Sequence, residues 1–116
     1  MTSLDHLYVT VSDLDRSVAF YERLGFTSTR WGNYVRLEGA NGMFIGLEQR
    51  ADATTGSTIE IVIRVGDVDE RYVQLGQAGV VFDGAPSDQE WGARHVWLRD
   101  PDGNRLSLFS SAEKAE

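Results

Sequence analysis

The chain contains one pattern twice, displaced by 54 residues, and this repeat limits the possible folds more than any other feature. The shift places residues 11–15 (VSDLD) over 65–69 (VGDVD) and Gly25 over Gly79. The apolar positions that follow also match: Leu14, Val18, Tyr21 and Leu24 in the first copy, and Val68, Tyr72, Leu75 and Ala78 in the second. Steps of four, three and three residues define one face of an α-helix. Two such copies predict a pseudo-symmetric pair of surfaces with a site between them.

Each copy is predicted to form a strand, a helix and three further strands, in the order βαβββ. Alternating or β-rich runs predict the strands, and Asp13 or Asp15 can cap the first helix, with Gly25 after its end. The predicted strands of the first copy are 4–11, 26–31, 34–38 and 43–49. The second copy has predicted strands at 59–65, 80–83, 93–99 and 104–110, and a helix at 69–78.

The predicted fold class is therefore α+β, with two tandem βαβββ modules forming a curled mixed sheet around a cavity. We expect a single domain made of module one (1–50), a linker (51–57), module two (58–110) and a polar tail (111–116). The linker is small and polar, and the segment 100–103 (DPDG) forms the last turn, because Pro fixes one φ and Gly accepts a positive φ.

Composition narrows the class of protein further. The 116-residue chain has no cysteine, which excludes disulfides and thiolate chemistry and fits a cytoplasmic protein. It has no apolar run of about 20 residues and no signal-peptide pattern at its start, so neither membrane insertion nor export is expected. The net charge of −7 argues against nucleic acid as a partner. The same charge favours a cationic small molecule or serves solubility alone.

Two motifs carry a resemblance to a known family. Residues 4–17 (LDHLYVTVSDLDRS) continue into 20–21 (FY) and 24–26 (LGF), and residues 100–104 (DPDGN) close the second copy. Together they resemble the vicinal oxygen chelate superfamily, which includes glyoxalase I, bleomycin-resistance proteins, fosfomycin-resistance enzymes, extradiol dioxygenases and methylmalonyl-CoA epimerase. The resemblance implies paired βαβββ modules around a cavity, often completed between two chains of a dimer. The superfamily mixes metalloenzymes with metal-free binding proteins, so the resemblance does not fix the function.

The family's metal enzymes imply ligands at four strand positions, one of them in the first strand of each copy. The first lies seven residues before the Asp that leads the helix, and here it is His6, before Asp13. The matching position, seven before Asp67, is commonly His in the metalloenzymes and is Glu60 here.

The other two implied ligand positions lie in the last strand of each copy. The carboxylate position of the second copy is Ser107, and the Glu or Gln position of the first copy is Gly46. A catalytic divalent metal usually needs about three His, Asp or Glu ligands, so we expect no metal and no other cofactor. A displaced site remains conceivable, because Glu48 lies on the same strand face as Gly46.

Strand alternation predicts which side chains line the cavity. If His6 faces inward, the alternate residues of its strand and of the matching strands do so too. Trp91 joins them because it lies in a polar segment, where a core Trp is unexpected. The predicted ligand-binding residues are His6, Tyr8, Phe44, Glu48, Glu60, Arg64, Trp91, Arg105, Ser107 and Phe109. This mixture of aromatic and charged groups suits a wet binding concavity better than a core.

Two titratable residues keep alternative interpretations at this point. His6 either contacts the ligand or is a hydrogen-bonded interior histidine. Glu60 either pairs with Arg105 or Arg64 or acts as a general base.

The small residues and the tryptophans also have two interpretations each. Gly46 and Ser107 either leave space for a ligand or reflect close packing of strands. Trp31, Trp91 and Trp97 either belong to the core or stack on a planar ligand.

Two functions of different class follow. The first is a small-molecule binding protein of the bleomycin-resistance type, which sequesters an aromatic and cationic compound in a metal-free cavity and forms a homodimer. The second is a lyase, isomerase or dioxygenase of the vicinal oxygen chelate type. It would use His6, Glu48 and Glu60 as a divalent-metal site, or His6 and Glu60 as an acid–base pair.

Overall fold

The chain forms two compact units, Met1–Thr55 and Gly56–Glu116, in a computed structural model that describes residues 5–53 and 60–111. Each unit contains one four-stranded mixed sheet and one helix in the order βαβββ. The α+β class and the two tandem modules predicted from the repeat are therefore confirmed. Within the described residues the strands pair as two separate sheets, and neither sheet closes into a barrel. No helix in this part of the chain has the length and apolar character needed to cross a membrane.

The first unit is built from one helix and four strands, which are β1 (His6–Val11), α1 (Leu14–Arg23), β2 (Thr27–Trp31), β3 (Tyr34–Glu38) and β4 (Phe44–Gln49). The strand order across the sheet is β1-β4-β3-β2. The pair β1–β4 is parallel, and the pairs β4–β3 and β3–β2 are antiparallel. A parallel pair needs a long crossover, which here includes α1.

The second unit repeats this arrangement with β5 (Ile61–Arg64), α2 (Val68–Gln77), β6 (Ser87–Asp88), β7 (Ala93–Arg99) and β8 (Arg105–Ser111). Its strand order is β5-β8-β7-β6, with β5 parallel to β8 and the remaining pairs antiparallel. The repeat in the sequence is therefore a repeat of topology, strand for strand.

Both helices begin at the aspartates that the repeat aligned. The side chain of Asp13 accepts a hydrogen bond from the amide of Arg16, and that of Asp67 accepts one from the amide of Glu70. Both bonds measure 3.1 Å, and both capping residues are extended, as N-cap residues normally are. Gly25 and Gly79 follow the helix ends with φ of 108° and 94°, where a side chain would be strained.

Each helix covers one face of its own sheet with apolar side chains. The buried apolar residues of the first unit are Val11, Leu14, Tyr21, Leu24, Val35, Leu37, Ile45 and Leu47. Those of the second unit are Ile61, Val68, Leu75, Val80, Val96, Leu98, Leu106 and Leu108. Burying each such side chain stabilises the fold by roughly 1.5–3 kcal/mol. The opposite sheet faces are left to the polar and aromatic residues of the alternation.

The turn between β7 and β8 is held by a buried carboxylate. Asp100 is 5% exposed, and its Oδ1 accepts hydrogen bonds from the amides of Asp102 and Asn104 at 3.0 and 2.8 Å. Its Oδ2 accepts from the side-chain amide of Asn104 at 2.9 Å. Gly103 takes a φ of 82°, as the predicted DPDG turn requires. The motif thus fixes the register of β7 against β8.

The strand predicted at 80–83 is wrong. Phe82 makes only an isolated bridge to Leu98, and Val81 is 82% exposed. The edge strand of this sheet is instead β6, a two-residue strand opposite His95 and Arg94. Gly84 follows this segment with a φ of 151°. The β-rich composition of residues 80–83 was therefore not sufficient to form a strand paired along its length.

The predicted ends of the modules also shift. Residues 51–52 form a turn, as expected for a linker, and residues 54–57 of the predicted linker lie outside the described residues. The predicted tail began at Ser111, but Ser111 is the last residue of β8, paired with Ala93. The rest of that tail (112–116) lies outside the described residues. So does the first residue of each strand predicted at 4–11 and 59–65, which are Leu4 and Ile59.

Candidate functional site

The sheet face opposite the helix carries the predicted ligand-binding residues in both units. We call this surface the first face in the first unit, formed by His6, Tyr8, Tyr34, Arg36, Phe44 and Glu48. The second face, in the second unit, is formed by Glu60, Arg64, His95, Trp97, Arg105, Ser107 and Phe109. Trp91 lies just before β7, beside the second face. The predicted residues are therefore divided between two surfaces.

Phe44 is the centre of an aromatic stack on the first face. The ring of His6 lies 4.3 Å from it, centroid to centroid, with the planes only 9° apart. The guanidinium of Arg36 lies 4.0 Å from the same ring centre. His6 Nδ1 is 2.7 Å from a carboxylate oxygen of Asp5. Of the two interpretations of His6, the interior histidine does not hold, because this residue is exposed at the start of β1.

Gly46 is small because Tyr34 lies on it. A Cβ built on Gly46 would clash with Tyr34 Oη and would lie 2.9 Å from Cε1 of the same ring. Of the two interpretations of Gly46, close packing is therefore confirmed. The family's ligand position in this strand is covered by a phenol ring rather than open to a ligand.

Tyr8 and Glu48 are joined to each other. The hydroxyl of Tyr8 donates to Glu48 Oε2 at 2.9 Å, and Arg50 Nη1 lies 3.8 Å from the same oxygen. Arg50 also pairs with Asp52 at 3.0 Å. The hydrogen bond to the Glu48 carboxylate raises the pKa of the Tyr8 phenol above its ordinary value, since the bond stabilises the protonated form.

On the second face, Glu60 has two partners. Trp97 Nε1 donates to Glu60 Oε1 at 3.0 Å, and Arg105 Nε lies 3.3 Å from the same oxygen. The guanidinium of Arg105 lies 5.4 Å from the centre of the Trp97 ring. The predicted ion pair of Glu60 with Arg105 is confirmed. Trp97 and Arg105 thus both contact the same oxygen of this carboxylate.

An aromatic cluster centred on His95 occupies the rest of the second face. The His95 ring stacks on Trp97 and on Phe109, each at 5.3 Å with planes 17° and 16° apart. Trp91 meets His95 edge-on at 5.8 Å and is 69% exposed, so its ring faces solvent. The guanidinium of Arg64 lies 4.6 Å from the Phe109 ring centre.

His95 is the residue that the sequence analysis missed. It lies two residues before Trp97 in β7, so strand alternation places both side chains on the same face of the sheet. The predicted set followed the strands that hold the family's four ligand positions, and β7 is not one of them. Trp97 is partly buried within this cluster, whereas Trp31 is 58% exposed on β2, 6.4 Å from Tyr34.

These residues do not fit a divalent metal. Within residues 5–53 and 60–111, no group of three or more His, Asp or Glu side chains is placed to hold one. In the displaced site considered above, His6 pairs with Phe44 while Glu48 pairs with Thr10, four residues along β1. At ~3.3 Å per residue that stagger is about 13 Å, far beyond shared coordination. Glu60 is engaged by Trp97 and Arg105.

Comparison with known proteins identifies the family of this chain. Residues 3–108 match the family model described as Glyoxalase/Bleomycin resistance protein/Dioxygenase superfamily. The chain is 30% identical over 116 residues to the Metallothiol transferase FosB of Lysinibacillus sphaericus (strain C3-41), covering 93% of this chain and 82% of that protein. It is 31% identical over 107 residues to the Bleomycin resistance protein of Klebsiella pneumoniae, covering 85% of each.

A solved structure shows the same fold. The crystal structure of a bleomycin-binding protein complexed with bleomycin matches this chain with a TM-score of 0.73 and 27% identity. The match covers 96% of this chain and 99% of the other.

Proposed function

Because the chain belongs to the glyoxalase/bleomycin resistance protein/dioxygenase superfamily, we propose that it binds and sequesters a small aromatic compound that carries basic groups. In this proposal it acts as a metal-free binding protein of the bleomycin-resistance type. The observation that carries it is the aromatic cluster of the second face, where the exposed ring of Trp91 stands beside His95. A solvent-facing indole next to stacked rings is a ready surface for a planar ligand.

Charge supports a cationic ligand at long range more than at close contact. The net charge of −7 attracts cations toward the molecule. The two carboxylates of the faces, Glu48 and Glu60, are each within 4.0 Å of an arginine. Stacking on the aromatic rings is therefore the main short-range contribution, and the first-face residues His6, Tyr8 and Phe44 remain proposed secondary contacts.

The experiment is a titration with bleomycin, followed by Trp fluorescence. We expect binding to quench the emission, and Trp91→Ala to weaken binding about fivefold, the value of one aromatic contact. Trp31→Ala is the matched control, because Trp31 is similarly exposed but lies on β2 of the first unit. Equal losses from both variants would contradict a site on the second face. No binding of bleomycin or of a panel of cationic aromatic compounds would contradict the function itself.

A second arm of the titration tests the sign of the ligand's charge. If acidic aromatic compounds alone bind, and Arg64→Ala removes them while Glu60→Gln does not, the resistance-type function is wrong. The lyase, isomerase or dioxygenase alternative would then lead.

The alternative enzyme has one specific supporting observation, the 30% identity to a metallothiol transferase. The donor set argues against it, because Tyr34 covers Gly46 and an arginine pairs with Glu60. Elemental analysis of protein purified without chelators or affinity-tag metal separates the two. A stoichiometric transition metal that is lost on His6→Ala would establish the enzyme instead.

We also propose that the protein acts as a cytoplasmic homodimer. Each four-stranded sheet ends in edge strands whose backbone groups can pair or be covered by a second copy. Two 12.9 kDa chains would give a particle of about 26 kDa. Light scattering that shows a monomer at high micromolar concentration would contradict this assembly.

A further inference from the structure

Two buried polar atoms on the second face lack hydrogen-bond partners among the described residues. They are Nδ1 of His95, which is 7% exposed, and Oγ of Ser107, which is fully buried. One other buried side-chain atom in this part of the chain shares this state, Arg36 Nε, but it lies 2.9 Å from a carboxylate oxygen of Glu38. Buried polar groups are nearly always paired, so two exceptions on one surface call for a partner.

The two residues are neighbours across the inner strands of the second sheet. His95 pairs with Phe109, and Ser107 pairs with Trp97, so His95 and Ser107 are diagonal neighbours on β7 and β8. Such neighbours have side chains about 7–8 Å apart, which is the span of one small planar group with hydrogen-bonding atoms at both edges. The rings of Trp97 and Phe109 both stack on the His95 ring of this pair.

The indole N–H of Trp97 is already used. It donates to Glu60 Oε1, which also lies near Arg105 Nε, so this N–H is not left for His95 or Ser107. The serine hydroxyl can donate and accept, and the imidazole nitrogen takes either role with its tautomer. Together they match a group that offers one donor and one acceptor and carries no net charge.

We propose that His95 and Ser107 form a subsite that hydrogen-bonds a planar, uncharged amide or amino-heterocycle of the ligand. This inference rests on the proposed function, because it assigns the polar end of the same aromatic ligand. The first unit has no room for a matching subsite. There Tyr34 and Gly46 hold the matching strand positions, and the phenol ring of Tyr34 closes the place.

The test uses a matched pair of probes, 2-naphthamide and methyl 2-naphthoate, titrated by calorimetry. They share the aromatic ring and a carbonyl, but only the amide offers N–H donors. We expect the wild-type protein to prefer the amide about tenfold, and Ser107→Ala and His95→Phe each to remove most of that preference. His95→Phe keeps a ring in the stack, so the ester should bind it as it binds the wild type.

Thermal unfolding separates this role from a structural one. Removing a hydroxyl that has no partner should leave the melting temperature of Ser107→Ala unchanged or raised. A melting temperature lowered by several degrees, with the amide preference intact, would show a structural role and overturn the subsite.

The remaining outcomes are also decisive. If the wild type binds both probes equally, the polar atoms are satisfied by ordered water and the subsite is wrong, while the proposed function stands. If neither probe nor bleomycin binds, both the subsite and the proposed function are wrong.

Discussion

The two sheets share a topology and the same helix-start geometry, yet their faces opposite the helices differ in kind. On the first face, Tyr34 lies over Gly46 and Tyr8 is bonded to Glu48, so the groups satisfy one another. On the second face, the matching strand positions hold His95 and Ser107, whose buried polar atoms have no partner among the described residues. The duplicated framework therefore carries two faces of different chemistry.

The largest expected effect is a loss of stability at the turn between β7 and β8, compared with the turn before β4. Asp100→Ala removes three hydrogen bonds to a buried carboxylate, and we expect the free energy of unfolding to fall by about 3 kcal/mol. The turn before β4 depends instead on the exposed Asn41, which accepts from the amide of Met43 at 3.2 Å. Asn41→Ala should cost less than about 1 kcal/mol. Urea unfolding of both variants measures this, and equal losses would show that the second turn has no special role.

The next effect tests the closed position on the first face. Gly46→Ala places a methyl group against the Tyr34 ring, and overpacking of this kind costs about 1–3 kcal/mol. Tyr34→Ala should relieve the clash, so the double variant should be more stable than the sum of the single effects predicts. Additive effects in urea unfolding would mean that the ring does not cover Gly46.

The two helix N-caps should contribute equally to stability, because the two units share one framework. Asp13→Ala and Asp67→Ala each remove one bond to a helix amide, and each should cost about 1 kcal/mol. Thermal unfolding compares them directly. A loss confined to one variant would show that the repeat is conserved in sequence but not in its contribution to stability.

The smallest effect concerns titration on the first face. The Glu48 carboxylate raises the pKa of Tyr8, so the stability that this bond contributes is present at neutral pH and is lost as the pH rises through the folded-state pKa. Glu48→Gln should lower the pKa of Tyr8 toward its ordinary value and weaken this alkaline loss. Carbon NMR of labelled tyrosine follows the titration, and an unchanged Tyr8 pKa would contradict the Tyr8–Glu48 bond.

Much of the fold was accessible from the sequence because it depends on local chemistry. Helix periodicity, the aspartate caps and the DPDG turn act over a few residues, and the repeat supplied the helix and its cap twice. The strand predicted at 80–83 failed because pairing is decided by partners far along the chain, and Phe82 found only Leu98.

The site was less accessible for the same physical reason. Alternation predicts which residues share a face of each sheet, but which groups satisfy one another depends on packing between strands. The contact of the Tyr34 ring with Gly46 depends on such packing. So does the lack of a partner, among the described residues, for the buried atoms of His95 and Ser107. From the sequence, Gly46 and Ser107 had the same two interpretations, space for a ligand or close packing of strands. In the structure Tyr34 lies on Gly46, whereas the Ser107 hydroxyl has no partner among the described residues.

We propose that the second face, rather than the first, receives the ligand. Amide NMR of the protein titrated with bleomycin is the most direct test, because every described strand residue reports separately. We expect the largest changes in amide chemical shift on β7, β8 and Trp91, with small changes on β3 and β4. Largest changes at Tyr34, Arg36 and Phe44, with β7 and β8 unmoved, would contradict it.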